Sequence, residues 1–429
     1  MKKIFLTLIS WQLAWAAFAQ NPAPAPKQQK PILLQNATVH IGNGKVLDKA
    51  FLMFDKGKIT FVDTKAPTQS ENVELIDVQG KHIYPGFILP SSIVGLTEID
   101  AVRATRDFAE VGKYNPHIRA MIAYNTDADM LATIRYNGVL MVQTTPRGGV
   151  ISGTSSVMQL DAWNWEDALV RADDGVHLNW IPSYTYDWKE GKIKKNDKQK
   201  AEVQELEKFF TEALYYTQNE PKEKNLKFEA LKALFDGTKT LYLHTDEARD
   251  IVESVQFAQN QKVKKIVVVG ASQSYKVIDF LKQNNISILL NRVHSLPTRN
   301  DEDIDMPYKL AAILYKAGIL VGLTYEGDME AMGARNLPFT AGTAAAYGLS
   351  KEEALSLITA NTANILGIQE RVGTLEVGKD ATLFVSEGDA LDMKGNNLLY
   401  AFIEGRKIQL SSKQTELYKR YQQKYLNKQ

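Results

Sequence analysis

The chain has six histidines and no cysteine, so any metal it holds must be bound through nitrogen and oxygen rather than thiolate. His244 stands near the end of an apolar run, KTLYLHTDE, and His294 near the end of another, ISILLNRVHS. Two carboxylates, Glu326 and Asp328, close a third run, GILVGLTYEGD. An imidazole with one or two carboxylates can exchange protons, but a zinc site normally needs three protein ligands and an open position. The other histidines are placed elsewhere: His40 and His82 in or beside short strands, His117 and His177 in loops.

Three further stretches carry usable chemistry. TTPRGGVISGTSSV (144–157) is rich in Gly, Ser and Thr. Its backbone amides can form an anion-binding concavity with Arg147 beside it, and a tight strand-to-helix loop is the plainer alternative. Trp163 and Trp165 lie two apart and present indole faces that stack on ligand rings or pack in a loop. In EIDAVRATRDFAEVG (98–112), Arg103 and Arg106 would supply a cation if they point inward and form surface ion pairs if they do not.

These residues need a scaffold. The apolar runs at 138–146, 239–247, 263–272, 286–295 and 318–328 read as strands buried on both faces, and stretches such as SYKVIDFLKQN (274–284) as amphipathic helices between them. No GxGxxG follows an early strand, which disfavours a dinucleotide-binding sheet. Short strands with Gly turns occur both before this body (31–83) and after it (372–410), so one β unit built from both chain ends is expected. Residues 187–227 are highly charged and read as a solvated insertion of helix and loop. Residues 411–429 read as a polar helix.

The first 19 residues, MKKIFLTLISWQLAWAAFA, have a basic start, an apolar run and a small-x-small end, the form of a cleaved export signal. A periplasmic or secreted protein is expected, with no stable membrane insertion, because the run is shorter than the roughly 20 apolar residues a span requires. NPAPAPKQQK then reads as a Pro-rich linker over 20–30. The net charge of +1 falls to −1 once Lys2 and Lys3 leave with the signal, so no field recruits nucleic acid.

The segment NLPFTAGTAAAYGLSKEEALSLITANTANILGIQERVGTLEVGKDATLFV (336–385) resembles the closing part of the amidohydrolase superfamily, in particular its imidazolonepropionase-like branch. The resemblance rests on Glu353-Ala354-Leu355, then Thr359, Asn361, Ala363, Leu366 and Gly367, then Gly373, Leu375 and Gly378 to Ala381. It implies an α/β fold: a (β/α)8 TIM barrel over 84–371 with a small composite β-sandwich. The implied metal ligands are an H-x-H pair after the first strand, histidines after the fifth and sixth, and an aspartate after the eighth. Here YPGFILPSSIVGL puts Ser91 and Ile93 at the H-x-H positions, Gly270 at the sixth-strand histidine and Glu326 at the aspartate; His244 alone keeps its type. His294 is a further recruit.

The resemblance thus implies a hydrolase acting on non-peptide carbon–nitrogen bonds, with Glu326, His244 and Asp328 as catalytic residues. Ser91, Arg147, Tyr325 and Arg335 are the candidates for binding a small-molecule substrate. His244 and Glu326 are the only ligands left for a single zinc-like divalent metal, and no metal at all is the alternative. The competing reading is an inactive binding protein or partner subunit, in an oligomer with itself or with an active paralogue.

Overall fold

The computed structural model describes residues 23–68, 72–187, 189–219, 223–297, 299 and 301–426. The expected signal segment lies outside the described residues. Among those described, no helix is long and apolar enough to cross a membrane.

The larger sheet has eight strands, in the spatial order Phe87–Ser92, Val139–Thr144, Ile151–Gln159, Leu169–Asn179, Thr240–Thr245, Ile266–Gly270, Ser287–Leu290 and Val321–Leu323. The last approaches the first, where Thr324 Oγ1 donates to Pro90 O at 2.6 Å and closes the barrel. The expected α/β barrel is present, with one departure. Ile151–Gln159 runs antiparallel to both its neighbours, so the Gly/Ser/Thr stretch is half loop and half barrel strand. The other parallel neighbours need crossover connections, and helices on the outside supply them. Helix Ala248–Asn260 is typical: Ile251, Ser254, Val255 and Ala258 are buried at helical spacing.

The smaller sheet also has eight strands. Leu383–Ser386 and Leu398–Ile403 from the C-terminal side join it through His82–Pro85 to Ile32–His40, Val46–Asp55 and Lys58–Asp63 from the N-terminal side. Phe54 and Phe402 lie on strands with three others between them in that order, yet their rings meet edge to face at 4.9 Å. The sheet therefore curls over its own core, giving the sandwich-like unit that Gly-punctuated strands at both ends predict.

Three expectations need correction. The charged insertion holds the expected helical stretch, Gln199–Gln218 and Leu226–Asp236, but its loop is a hairpin, Tyr184–Asp187 with Lys192–Lys195. The helices are packed rather than merely solvated, since Leu206, Phe210 and Ala213 are fully buried. Residues 23–30 are not a free spacer: Ala25 N–H donates to Asp161 and Gln28 bridges Phe54 and Gly57. His177 is not in a loop but on the fourth barrel strand, fully buried.

Candidate active site at the barrel mouth

Functional residues of such barrels stand at the C-terminal ends of the strands. At that rim of the first strand, Ser91 adopts φ +46°, a left-handed conformation uncommon for a residue with a side chain. Its backbone is held from both sides. The N–H donates to Gln143 Oε1 at 2.8 Å, and the carbonyl accepts from Arg147 Nη2 at 2.9 Å. A register shift between Leu89 and Ser92 accompanies the kink. It aims Ser91 Oγ at Glu326, to whose Oε1 the hydroxyl donates.

Arg147 is the centre of the site. The same Nη2 reaches Glu330 Oε1 at 3.0 Å and Glu326 Oε1 at 3.3 Å. Glu330 also accepts from the N–H of Ile93 at 2.8 Å, while the Ile93 side chain joins the apolar core. One guanidinium thus serves two buried carboxylates, and the pair divides accordingly. Burial pushes Glu326 up, but Arg147, His244 and Ser91 outweigh it and hold that carboxyl well below the usual range. Burial, with Glu326 as a like charge, raises Glu330 despite Arg147. The two carboxyls around the one cation are thus pushed in opposite directions, Glu326 down and Glu330 up.

His244 stands on the fifth strand as expected, its Nδ1 3.7 Å from Glu326 Oε2. Its Nε2 lies 2.9 Å from Nδ1 of His177, whose ring stacks on Tyr242. Burial, then His244 and Arg147, lower the His177 pKa far below normal and keep it neutral. With a proton on His244 Nδ1 facing Glu326, His244 Nε2 accepts from His177 Nδ1–H. His177 Nε2 is then buried without a partner. Below, Asp174 accepts from Gln143 (2.7 Å), Ser155 (2.9 Å) and Tyr242 (2.9 Å), tying the mouth to the barrel interior.

The structure brings together Ser91, Arg147, His244 and Glu326 of the predicted set. It leaves out the others. Asp328 is exposed, and its contact with Arg292 is through the backbone carbonyl, at 2.7 Å. Tyr325 lies one layer out, under the Arg292 guanidinium at 4.5 Å. Arg335 is exposed, and its carbonyl accepts from Asn137, just before the second strand. His294 bonds Thr343 at 2.6 Å, away from the cluster. Arg103, Arg106 and Trp163 are exposed.

Glu330, His177 and Asp174 were missed. Glu330 is four residues beyond Glu326, a helical spacing that could have flagged it. His177 and Asp174 lie in a polar run, VRADDGVHLN, whose alternation does not resemble a buried barrel strand.

The residues present do not fit a divalent metal. Among the described residues, no three His, Asp or Glu side chains converge to hold one. Ile93 has no donor atom, and Glu326 is engaged by Arg147 and Ser91. Gly270 has φ +94°, and a Cβ there would come 3.0 Å from Asp246 Oδ1, so the backbone itself is set against a histidine.

Comparison with known proteins agrees on the scaffold. No curated protein matches the chain in sequence. Among solved structures, an amidohydrolase from Thermotoga maritima MSB8 superposes with a TM-score of 0.77 at 23% identity, covering 88% of this chain and 99% of its own. A prolidase complexed with N-methylphosphonate-L-proline gives 0.56 at 14%, covering 88% and 99%. An adenosine deaminase from Xanthomonas campestris with bound zinc gives 0.52 at 15%, covering 93% and 98%. At these identities the likeness concerns the fold alone. The sequence pattern described as Amidohydrolase family matches residues 152–408, more than half of the chain, and with it the chain belongs to the amidohydrolase family.

Proposed function

We propose that this protein binds a small molecule at the barrel mouth and does not carry out the metal-assisted hydrolysis usual in its family. The observation that carries the reading is Arg147. Its guanidinium donates to the Ser91 carbonyl, Glu326 and Glu330 together. A fixed cation therefore occupies the charge role that a metal plays among such carboxylates. A guanidinium cannot acidify a coordinated water as a divalent metal does. Glu326, held ionised at low pKa and already bonded, is a weak general base. Export to the periplasm or beyond, from the leader sequence, and assembly with an active paralogue are parts of the same proposal.

Elemental analysis of purified protein, with a panel of amide and imide substrates assayed with and without chelator, tests it. The expected result is no stoichiometric metal and no chelator-sensitive turnover. Stoichiometric zinc, iron or manganese with turnover that Glu326→Gln and His244→Ala abolish would restore the hydrolase reading.

A further inference from the structure

Beside the Arg147 cluster, a pocket of about 230 Å³ opens between the sixth, seventh and eighth strands. Asp246, Ser272 and Glu326 lie on its polar wall, and Leu296, Met306 and Leu310 on its apolar one. Asp246 follows the fifth strand. It has room there because Gly270 has no side chain; a Cβ would crowd its Oδ1 at 3.0 Å.

The charges lining this pocket are not equally engaged. Glu326 has Arg147, and Glu302 has Lys276 at 3.5 Å. Arg292 donates to the Asp328 carbonyl and lies over Tyr325. Asp246 accepts from the N–H of Ser272 at 3.1 Å, and among the described residues no lysine or arginine forms an ion pair with it. On the same wall the Ser272 hydroxyl is buried with no hydrogen-bond partner. A carboxylate with no lysine or arginine partner, beside a serine hydroxyl, offers the acceptors that the donors of an ammonium group need. A carboxylate ligand would instead meet Asp246, Glu302 and Glu326 against a single guanidinium.

We infer that the pocket binds a small primary amine as its ammonium ion. The nitrogen lies on Asp246 and Ser272, and the hydrocarbon against Leu296, Met306 and Leu310. The inference rests on the proposed reading that the mouth binds a ligand, and it names that ligand's class.

Calorimetric titration of the whole protein at pH 7.5 with n-pentylamine, pentanoate, 1-pentanol and norleucine tests it. The amine should bind best, with Asp246→Asn and Ser272→Ala each folding normally by thermal melt. Asp246→Asn should weaken the amine by roughly 10-fold or more, the worth of one charged hydrogen bond. Amine binding that Asp246→Asn leaves unchanged would overturn the inference. So would no amine binding at millimolar concentration, pentanoate bound as tightly as the amine, or norleucine binding that depends on Arg292 instead. The outcomes separate the two proposals. Metal and turnover would overturn the binding reading even if the amine binds, whereas an inert, metal-free protein that ignores the amine overturns this inference alone.

Discussion

The barrel carries two buried arginine–carboxylate clusters, one at each end, and they are charged in opposite senses. At the mouth, Arg147 serves Glu326 and Glu330. At the other end, where Arg135 precedes the second strand, Asp161 serves two arginines. Arg135 Nη1 donates to its Oδ1 at 2.8 Å and Arg406 Nη1 to its Oδ2 at 2.7 Å, and Ala25 N–H adds a third bond at 2.9 Å. Arg406 also donates to Gln159 and to the Asp161 carbonyl. This lower cluster ties the N-terminal segment, the barrel and the small sheet together with its carboxylate fully engaged. The mouth has one cation for two carboxyls, and burial with Glu326 nearby pushes Glu330 up to about 7, so that it takes up a proton near neutral pH. A carboxylate can take up a proton when its partner is lost; an arginine cannot lose one. The lower cluster is therefore the brittle one and the mouth the adjustable one.

Breaking the lower cluster should have the largest effect. Asp161→Ala leaves Arg135 and Arg406 without their shared anion, and removing one partner of a buried pair costs about 3–5 kcal/mol. Urea denaturation should show that loss at every pH from 5 to 8. A change near zero would mean that the two arginines are solvated and that the comparison fails.

Arg147→Met should cost less at neutral pH, about 1–3 kcal/mol, because Glu326 can follow Glu330 in taking up a proton. Its penalty should also shrink as the pH falls towards 5, where protonation of both carboxyls is cheaper. A penalty equal to that of Asp161→Ala and flat with pH would break the distinction between the two ends.

Little of this contrast could be read from the sequence. The scaffold was legible because it is written in local terms. The capping box of Ser350 with Glu353 and the Asn361 bond to the Val321 carbonyl are set by residues that occur in a fixed order. The first-strand substitutions were legible too, since Ser91 and Ile93 sit in an aligned motif. What replaces the missing ligands was not. Arg147 is 179 residues from Glu326 in the chain, and only barrel closure brings them together. The strand after Arg147 runs against its neighbours, so its Gly/Ser/Thr composition reads as a loop. The docking of residues 23–30 was hidden for a similar reason: it uses backbone groups and one glutamine, which leave no apolar pattern.

Glu330→Gln sharpens the mouth side. A glutamine is the same shape as protonated Glu330, and its oxygen can still accept from Ile93 and Arg147. A carboxyl whose folded pKa is raised binds more protons folded than unfolded, so its contribution falls as pH rises from the unfolded value near ~4.3 to the folded one. The glutamine variant should match wild type near pH 4 and exceed it at pH 8 by at least about 1.4 kcal/mol, one pKa unit's worth. Glu326 has the opposite sign: its lowered pKa stabilises the fold above ~4.3, and that contribution is lost as acid protonates it. Glu326→Gln should therefore be destabilising at neutral pH. If the two glutamine variants behave alike, the proton is not held by Glu330.

The smallest effect belongs to the N-terminal segment. Gln28 donates to the carbonyls of Phe54 and Lys30 and accepts from Gly57 N–H, at 2.8–2.9 Å, at a turn of the small sheet. These are neutral, partly exposed bonds, and water can replace them when the amide is removed. Gln28→Ala should thus cost only about 1 kcal/mol, within the range for a typical hydrogen bond. Hydrogen exchange gives the finer readout. Gly57 N–H should lose protection in the variant, while the amides around Arg147 keep theirs, because the segment contacts only the lower end of the barrel. If protection falls at both ends, the two clusters are coupled through the barrel and cannot be treated as separate devices.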